Sequence, residues 1–223
     1  MKLMKTISVM FFGDSICTGQ HVAIHDGWVT RTSAKLAELG KLHDAEIMVT
    51  NASVNGRTTR QALERIPYEV QSHCPDLVII QFGMNDCNYW ASDKGLPRVS
   101  CQAFAANLHE IIDRVSNFGA RRIFLHTNHP TTLDAEVFPH TDVTYQKSNE
   151  SYNQAIRELA QDAEVTFNDV ERYFWDQLGE ETEKLQEMLL PSDQLHLSKK
   201  GHDLYLDFTY PRIELAVLEL LND

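Results

Sequence analysis

The chain contains no apolar run near the roughly 20 residues that a bilayer-crossing helix needs, so a helical membrane span is excluded. The apolar stretch in "MKLMKTISVMFF" imitates a secretory leader but is short and lacks a small-x-small cleavage site; it is read as a first strand. Positive charge is also scarce. Against 32 Asp and Glu there are 20 Lys and Arg, and the formal net charge of −12 sets a field that repels phosphate backbones. Nucleic acid is therefore not an expected partner. Only four cysteines occur, Cys17, Cys74, Cys87 and Cys101, with no C-x-x-C pair, which excludes a disulfide-stapled scaffold and favours reduced thiols in a cytoplasmic protein. There is no G-x-S-x-G, so the nucleophile elbow of the α/β-hydrolases is missing. There is also no repeat, low-complexity tract or Gly/Ser/Pro linker, and residues 1–223 are expected to form one domain.

What the chain does have is five short runs rich in Val, Ile and Phe, at 7–13, 46–51, 76–83, 122–128 and 165–169. They read as continuously buried strands, the pattern of a parallel sheet covered on both faces. Between them lie segments of helical spacing, at 28–39, 59–71, 101–118 and 146–163. In the third, Phe104, Leu108, Ile111, Ile112 and Val115 recur at three- and four-residue steps and make one apolar stripe. This alternation predicts a doubly wound α/β fold with a five-stranded parallel sheet and right-handed crossovers. Two helical pieces are expected at the end of the chain, divided by Pro211 at the start of the second.

Ligands of open parallel sheets bind beyond the carboxyl ends of the strands. The strand ends here carry Gly13-Asp14-Ser15, Asn51 to Gly56, Gly83 to Asp86 and His126 to His129. A serine in a strand-to-helix turn is usually a turn or cap residue, so Ser15 alone proves nothing. A serine nucleophile needs a base within hydrogen-bond reach and a group that orients the base. In "PSDQLHLS", Asp193 and His196 stand three residues apart, a spacing that can set the carboxylate against Nδ1 and leave Nε2 free. The alternative is a polar cap for the helix beginning near Ser198. Gly56, in "NASVNG", can present a backbone N–H, and Asn85, in "GMND", offers an amide; Gly83 would let backbone approach a ligand. With the Ser15 N–H, Gly56 and Asn85 would supply three donors to an oxyanion.

Taken together, "GDSICTG", "NASVNG", "GMND" and "DQLH", in this order over residues 13–196, resemble the four blocks of the SGNH hydrolases, the GDSL-type esterase and lipase family. The resemblance implies a flavodoxin-like three-layer α/β/α sandwich and ester hydrolysis through an acyl-enzyme. It implies Ser15 as nucleophile, His196 as general base and acid, Asp193 orienting the histidine, and an oxyanion hole of Ser15, Gly56 and Asn85. Position 16 is Ile where the family label has Leu, a packing difference of little consequence.

Other polar residues have plainer readings. Asp14 should point away from Ser15 and fix the turn, or else touch substrate. Asp86 and Cys17 are read as structural. His21 with His25, and His126 with His129, have metal-like spacings but no carboxylate or cysteine set to complete them, so neither metal nor other cofactor is expected. His129 either lines a substrate pocket or packs. In the loop at 87–100, Tyr89 and Trp90 either stack on a sugar or wall an acyl chain, or serve only as lid packing. The expected substrate is a small-molecule or glycan ester carrying a short acyl group, O-acetyl above all. The alternatives are a lysophospholipase or acyl thioesterase, and a non-catalytic glycan-binding module.

Overall fold

The computed structural model describes residues 4–223. In chain order the elements are β1 (Lys5–Gly13), α1 (Ser15–Thr18), α2 (Trp28–Leu42), β2 (Ala45–Asn51), α3 (Thr59–Glu69), β3 (Leu77–Gln81), α4 (Cys101–Asn117), β4 (Arg122–His126), α5 (Tyr145–Asp162), β5 (Thr166–Asn168), α6 (Val170–Leu178), α7 (Thr182–Met188) and α8 (Lys199–Asn222). All strand pairs are parallel, in the order β2-β1-β3-β4-β5. That is the flavodoxin-like order, which reverses between β1 and β3 and so opens a ligand crevice at their carboxyl ends. Helices α2 and α8 pack together on one face, while α3, α4 and α5 pack in sequence on the other.

Burial sorts the strands. β3 and the second half of β1 are buried throughout, with Met10, Phe11, Phe12, Val78, Ile79 and Ile80 in the core. The edge strand β2 alternates between half-buried and exposed residues, and β5 runs from the exposed Thr166 through the half-buried Phe167 to the buried Asn168. The expected continuous burial therefore fails at both edges, where one flank and part of a face meet solvent. Helix starts follow capping chemistry. Thr58 and Gln61 form a reciprocal capping box at α3, and Ser100, Thr144, Asp169 and Ser198 each accept an N–H of the first turn of α4, α5, α6 and α8.

The end of the chain differs from expectation. It is one helix, α8, with Pro211 inside it. An interior proline costs about 3 kcal/mol through its missing N–H and its ring's clash with the preceding turn. The carbonyl that loses its donor is Asp207 O, while the Arg212 guanidinium bonds the next one, Phe208 O, at 3.1 Å. Packing offsets the cost. Beyond the proline, Ile213, Val217 and Leu220 are buried, each worth about 1.5–3 kcal/mol. The sequence pattern does not mark α1, α6 or α7. No helix among the described residues is long and apolar enough to cross a membrane.

Candidate active site

Ser15 stands two residues past the end of β1, in the first position of the one-turn helix α1, and is 4 % exposed. Asp14 caps this turn, its Oδ1 accepting from the Ile16 N–H at 3.0 Å. The strand order places the β2 and β3 ends on either side of Ser15, one bringing the loop of Gly56 and the other Asn85. The β2 loop is tied to β1 by Ala52 N–H to Phe11 O at 2.8 Å and Val54 N–H to Gly13 O at 3.1 Å. Gly56 lies in that loop at φ +75°, exposed, a backbone that L side chains seldom adopt. Gly83 departs from expectation. It is buried at φ +134°, and a Cβ there would run into the Asn128 amide, so the close approach it permits is to protein and not to ligand.

The partners of Ser15 come from the loop before α8. Its ends are joined by the Leu189 to Leu197 bridge, and Leu190 N–H donates to His196 O at 2.8 Å. Inside this loop, Asp193 Oδ1 accepts from the Leu195 and His196 N–H groups, both at 3.0 Å. Asp193 Oδ2 lies 2.7 Å from His196 Nδ1, and His196 Nε2 lies 2.9 Å from Ser15 Oγ. An ionised carboxylate only accepts, so Nδ1 carries the ring proton and Nε2 presents its lone pair to the hydroxyl. Burial works against the Asp193 charge, but the hydrogen bonds from the His196 ring and from both N–H groups outweigh it and hold its pKa below the ordinary value. Asp193 therefore stays an anion at neutral pH.

Asn85 is held from two sides. Its Nδ2 donates to Asp14 Oδ2 at 3.3 Å, and its Oδ1 accepts from Arg98 Nη1 at 3.2 Å. These partners fix which end of the amide is which, and they leave one Nδ2 hydrogen unspent. Asp14 is completely buried and offers no surface to a substrate; burial, with a contribution from Asp86, pushes its pKa up to about 7. Asp86 is buried too, spends its oxygens on the Thr59 N–H and hydroxyl, and is raised by burial to about 6. Cys17 packs in the core, and burial pushes its thiol well above the usual range, which removes it as a nucleophile at neutral pH.

His129 is also fully buried, so it cannot line a pocket. Its Nε2 donates to Leu195 O at 2.8 Å, behind the Asp193 to His196 segment, and burial drives its pKa down to about 3. His126 is a core residue between Tyr205 and Asn168. Tyr89 is half-buried with its ring stacked on Phe138 at 4.7 Å, the lid-packing alternative, whereas Trp90 is 52 % exposed. Near the site, Arg98 carries no sequence signal, and His21 stands out in the sequence only for its spacing to His25. Arg98, late in the loop after Asn85, also donates through Nη2 to Gly56 O at 3.0 Å, and its guanidinium lies 4.4 Å over the Trp90 ring. The exposed His21 stands edge-on to His196 at 5.1 Å between ring centres. His21, Asp193 and His196 hold potential ligand atoms within 4.8 Å of one another, the one such trio of His, Cys, Asp or Glu among the described residues. Both His196 nitrogens are engaged within the Ser15–His196–Asp193 chain, so an ion binding there would have to displace one of those bonds.

Known proteins resemble this chain along most of its length. In fold, an acetylxylan esterase from Geobacillus stearothermophilus superposes with a TM-score of 0.75 at 20 % identity, covering 96 % of both chains. A lipase/acylhydrolase from Enterococcus faecalis gives 0.70 at 23 % identity, covering 93 % of this chain and 95 % of the other. In sequence, an arylesterase of Vibrio mimicus is 29 % identical over 122 residues, 55 % of this chain and 55 % of that relative. The chain thus spans about half the length of that relative. An uncharacterized lipoprotein of Bacillus subtilis is 27 % identical over 213 residues, 86 % of this chain and 84 % of its own. The profile of the GDSL-like lipase/acylhydrolase family matches residues 11–204, and the chain belongs to that family.

Proposed function

We propose that the protein is a serine ester hydrolase that removes short acyl groups, O-acetyl above all, from a carbohydrate. One observation carries the ester-hydrolase reading: the unbroken hydrogen-bonded chain from Ser15 Oγ through the His196 ring to Asp193, at 2.9 and 2.7 Å. In this reading His196 Nε2 takes the hydroxyl proton as Ser15 Oγ attacks the ester carbonyl, and Asp193 steadies the imidazolium that forms. The carbonyl oxygen becomes an oxyanion facing the Ser15 N–H, the Gly56 N–H and the unspent Nδ2 hydrogen of Asn85. His196 then returns its proton to the leaving alcohol, leaving an acyl-enzyme on Ser15. Water, deprotonated by the same nitrogen, releases the acid. Neither a metal nor an organic cofactor enters any of these steps.

The carbohydrate part of the proposal draws on the cleft beside Arg98. It has a volume of about 470 Å³ and is lined by Thr58, Gln61, Asp93 and the exposed Trp90. An open indole rimmed by hydrogen-bonding side chains suits a sugar ring. The structural likeness to an acetylxylan esterase points the same way. A second reading, hydrolysis of long acyl chains, has its own observation. An apolar groove of about 470 Å³, lined by Leu133, Val137, Phe138 and Tyr145, reaches Gln194 next to Asp193. Cytoplasmic residence belongs to the proposal as well, supported by four cysteines that form no disulfide.

The test is a series of p-nitrophenyl esters of increasing acyl length, followed by O-acetylated oligosaccharides, with Ser15→Ala as control. We expect turnover to be highest for acetyl, and Ser15→Ala to fold and lose turnover. A preference for long chains would replace the first reading by the second. Wild-type rates in Ser15→Ala, or no turnover of any ester, would overturn both.

A further inference from the structure

We propose that Arg98 is a positioning residue for the oxyanion hole: a single guanidinium fastens both Asn85 and Gly56, the two donors that lie outside the nucleophile's own turn. The proposal rests on the ester-hydrolase reading for its kinetic consequence and on geometry alone for its structural one.

Asn85 and Gly56 come from different strand ends, and no hydrogen bond joins them directly. Arg98 connects them. Nη1 donates to Asn85 Oδ1 at 3.2 Å and Nη2 to Gly56 O at 3.0 Å, using two nitrogens of one planar fork. The bond to Oδ1 prevents the Asn85 amide from flipping, because a flipped amide would turn its NH₂ toward the guanidinium. It also withdraws electron density from the amide, which sharpens the remaining Nδ2 hydrogen as a donor. The bond to Gly56 O restrains an exposed residue at φ +75° whose loop is otherwise open on that side.

Arg98 is itself held. Its N–H donates to Asn88 O at 2.9 Å, the Val99 N–H donates to Asp86 O at 3.2 Å, and Tyr89 bridges to Pro97. The loop at 87–100 is thereby folded back on the Asn85 turn, with the buried Val99 as its anchor and the Trp90 ring under the guanidinium at 4.4 Å. Trp90 thus has an inner duty, carrying Arg98, besides the outer face it shows to the cleft. A flexible ammonium could reach one of the two oxygens but not fork to both.

Complete removal of an oxyanion donor costs about 10² to 10³ in rate. A mispositioned Asn85 still visits its productive orientation, so Arg98→Ala should lower kcat by about 10- to 100-fold, with KM for a small acetyl ester little changed. Arg98→Lys should recover part of that loss. Guanidinium added at millimolar concentration should restore rate to Arg98→Ala and leave the wild type unaffected, a response that a general loss of packing would not give. A separate readout needs no turnover. The Asn85 side-chain NH₂ pair, observed by ¹⁵N NMR, should stand apart from the solvent-exposed Asn resonances in the wild type, and in Arg98→Ala should shift toward them and exchange faster with water. Wild-type kcat in Arg98→Ala, a loss confined to KM, or unchanged Asn85 resonances would each overturn the proposal. If the wild type turned over no ester but the Asn85 resonances still responded to Arg98, the ester-hydrolase reading would fall while the positioning by Arg98 stood.

Discussion

Replacement of Asp193 by Asn changes almost no volume and tests the relay at its most specific point. In the native loop, Oδ1 accepts two backbone N–H groups at 3.0 Å, and Oδ2 accepts the His196 Nδ1 proton at 2.7 Å. Asn has one accepting oxygen and one NH₂ that only donates. If the oxygen stays on the two backbone donors, the NH₂ faces Nδ1. Nδ1 must then be the bare nitrogen, the ring proton moves to Nε2, and Nε2 can no longer take the Ser15 proton. The opposite amide orientation restores the tautomer but sets NH₂ against two N–H donors. Losing those two bonds at about 1–2 kcal/mol each makes that orientation rare, roughly one molecule in 30 to one in 1,000. Even there, a neutral amide steadies the imidazolium less than an anion does. We therefore expect kcat on an acetyl ester to fall by about 10³ to 10⁴, in line with the wrong-tautomer effect in other triads. A chemical denaturation curve close to that of the wild type would show that the fold is intact. A folded Asp193→Asn protein with kcat within tenfold of the wild type would refute the role given to Asp193.

Two further outcomes follow from the same geometry. Asn85→Ala removes the unspent Nδ2 hydrogen and should lower kcat by about 10² to 10³ with little change in KM, read from steady-state kinetics; an unchanged kcat would exclude Asn85 from the oxyanion hole. Asp14→Asn should alter stability in a pH-dependent way. Burial raises the Asp14 pKa from 3.8 to about 7, so the folded protein keeps a proton that the unfolded chain has released. That contribution is complete below pH 3.8 and is lost as pH rises through about 7. At about 1.36 kcal/mol per pKa unit, it amounts to something on the order of 4 kcal/mol. Wild-type stability minus that of Asp14→Asn should fall by this order between about pH 4 and about pH 8 in denaturant titrations. A constant difference would show that Asp14 is not a buried acid of raised pKa.

The local layers of this protein are written in its sequence. Apolar runs and turn residues are short-range signals, and they mark all five strands, four of the larger helices and the strand-end positions of Ser15, Gly56 and Asn85. The spacing of Asp193 and His196 also foretells their pairing, because three residues in a closed turn set one side chain against the other. What folding alone decides is non-local. Strand order puts β2 and β3 on either side of β1, so that Gly56 and Asn85 flank Ser15. Hydrophobic periodicity does not separate edge strands from central ones, which is why β2 and β5 are less buried than their composition suggests. The 2.9 Å contact between Ser15 and His196 spans 181 residues and exists only because α8 and its preceding loop pack back beside β1. Side-chain depth is equally a property of the packed molecule. It moves Asp14 and His129 from possible substrate contacts to buried supports, and it brings Arg98, an ordinary loop arginine in the sequence, between two oxygens that only the assembled sheet holds close together.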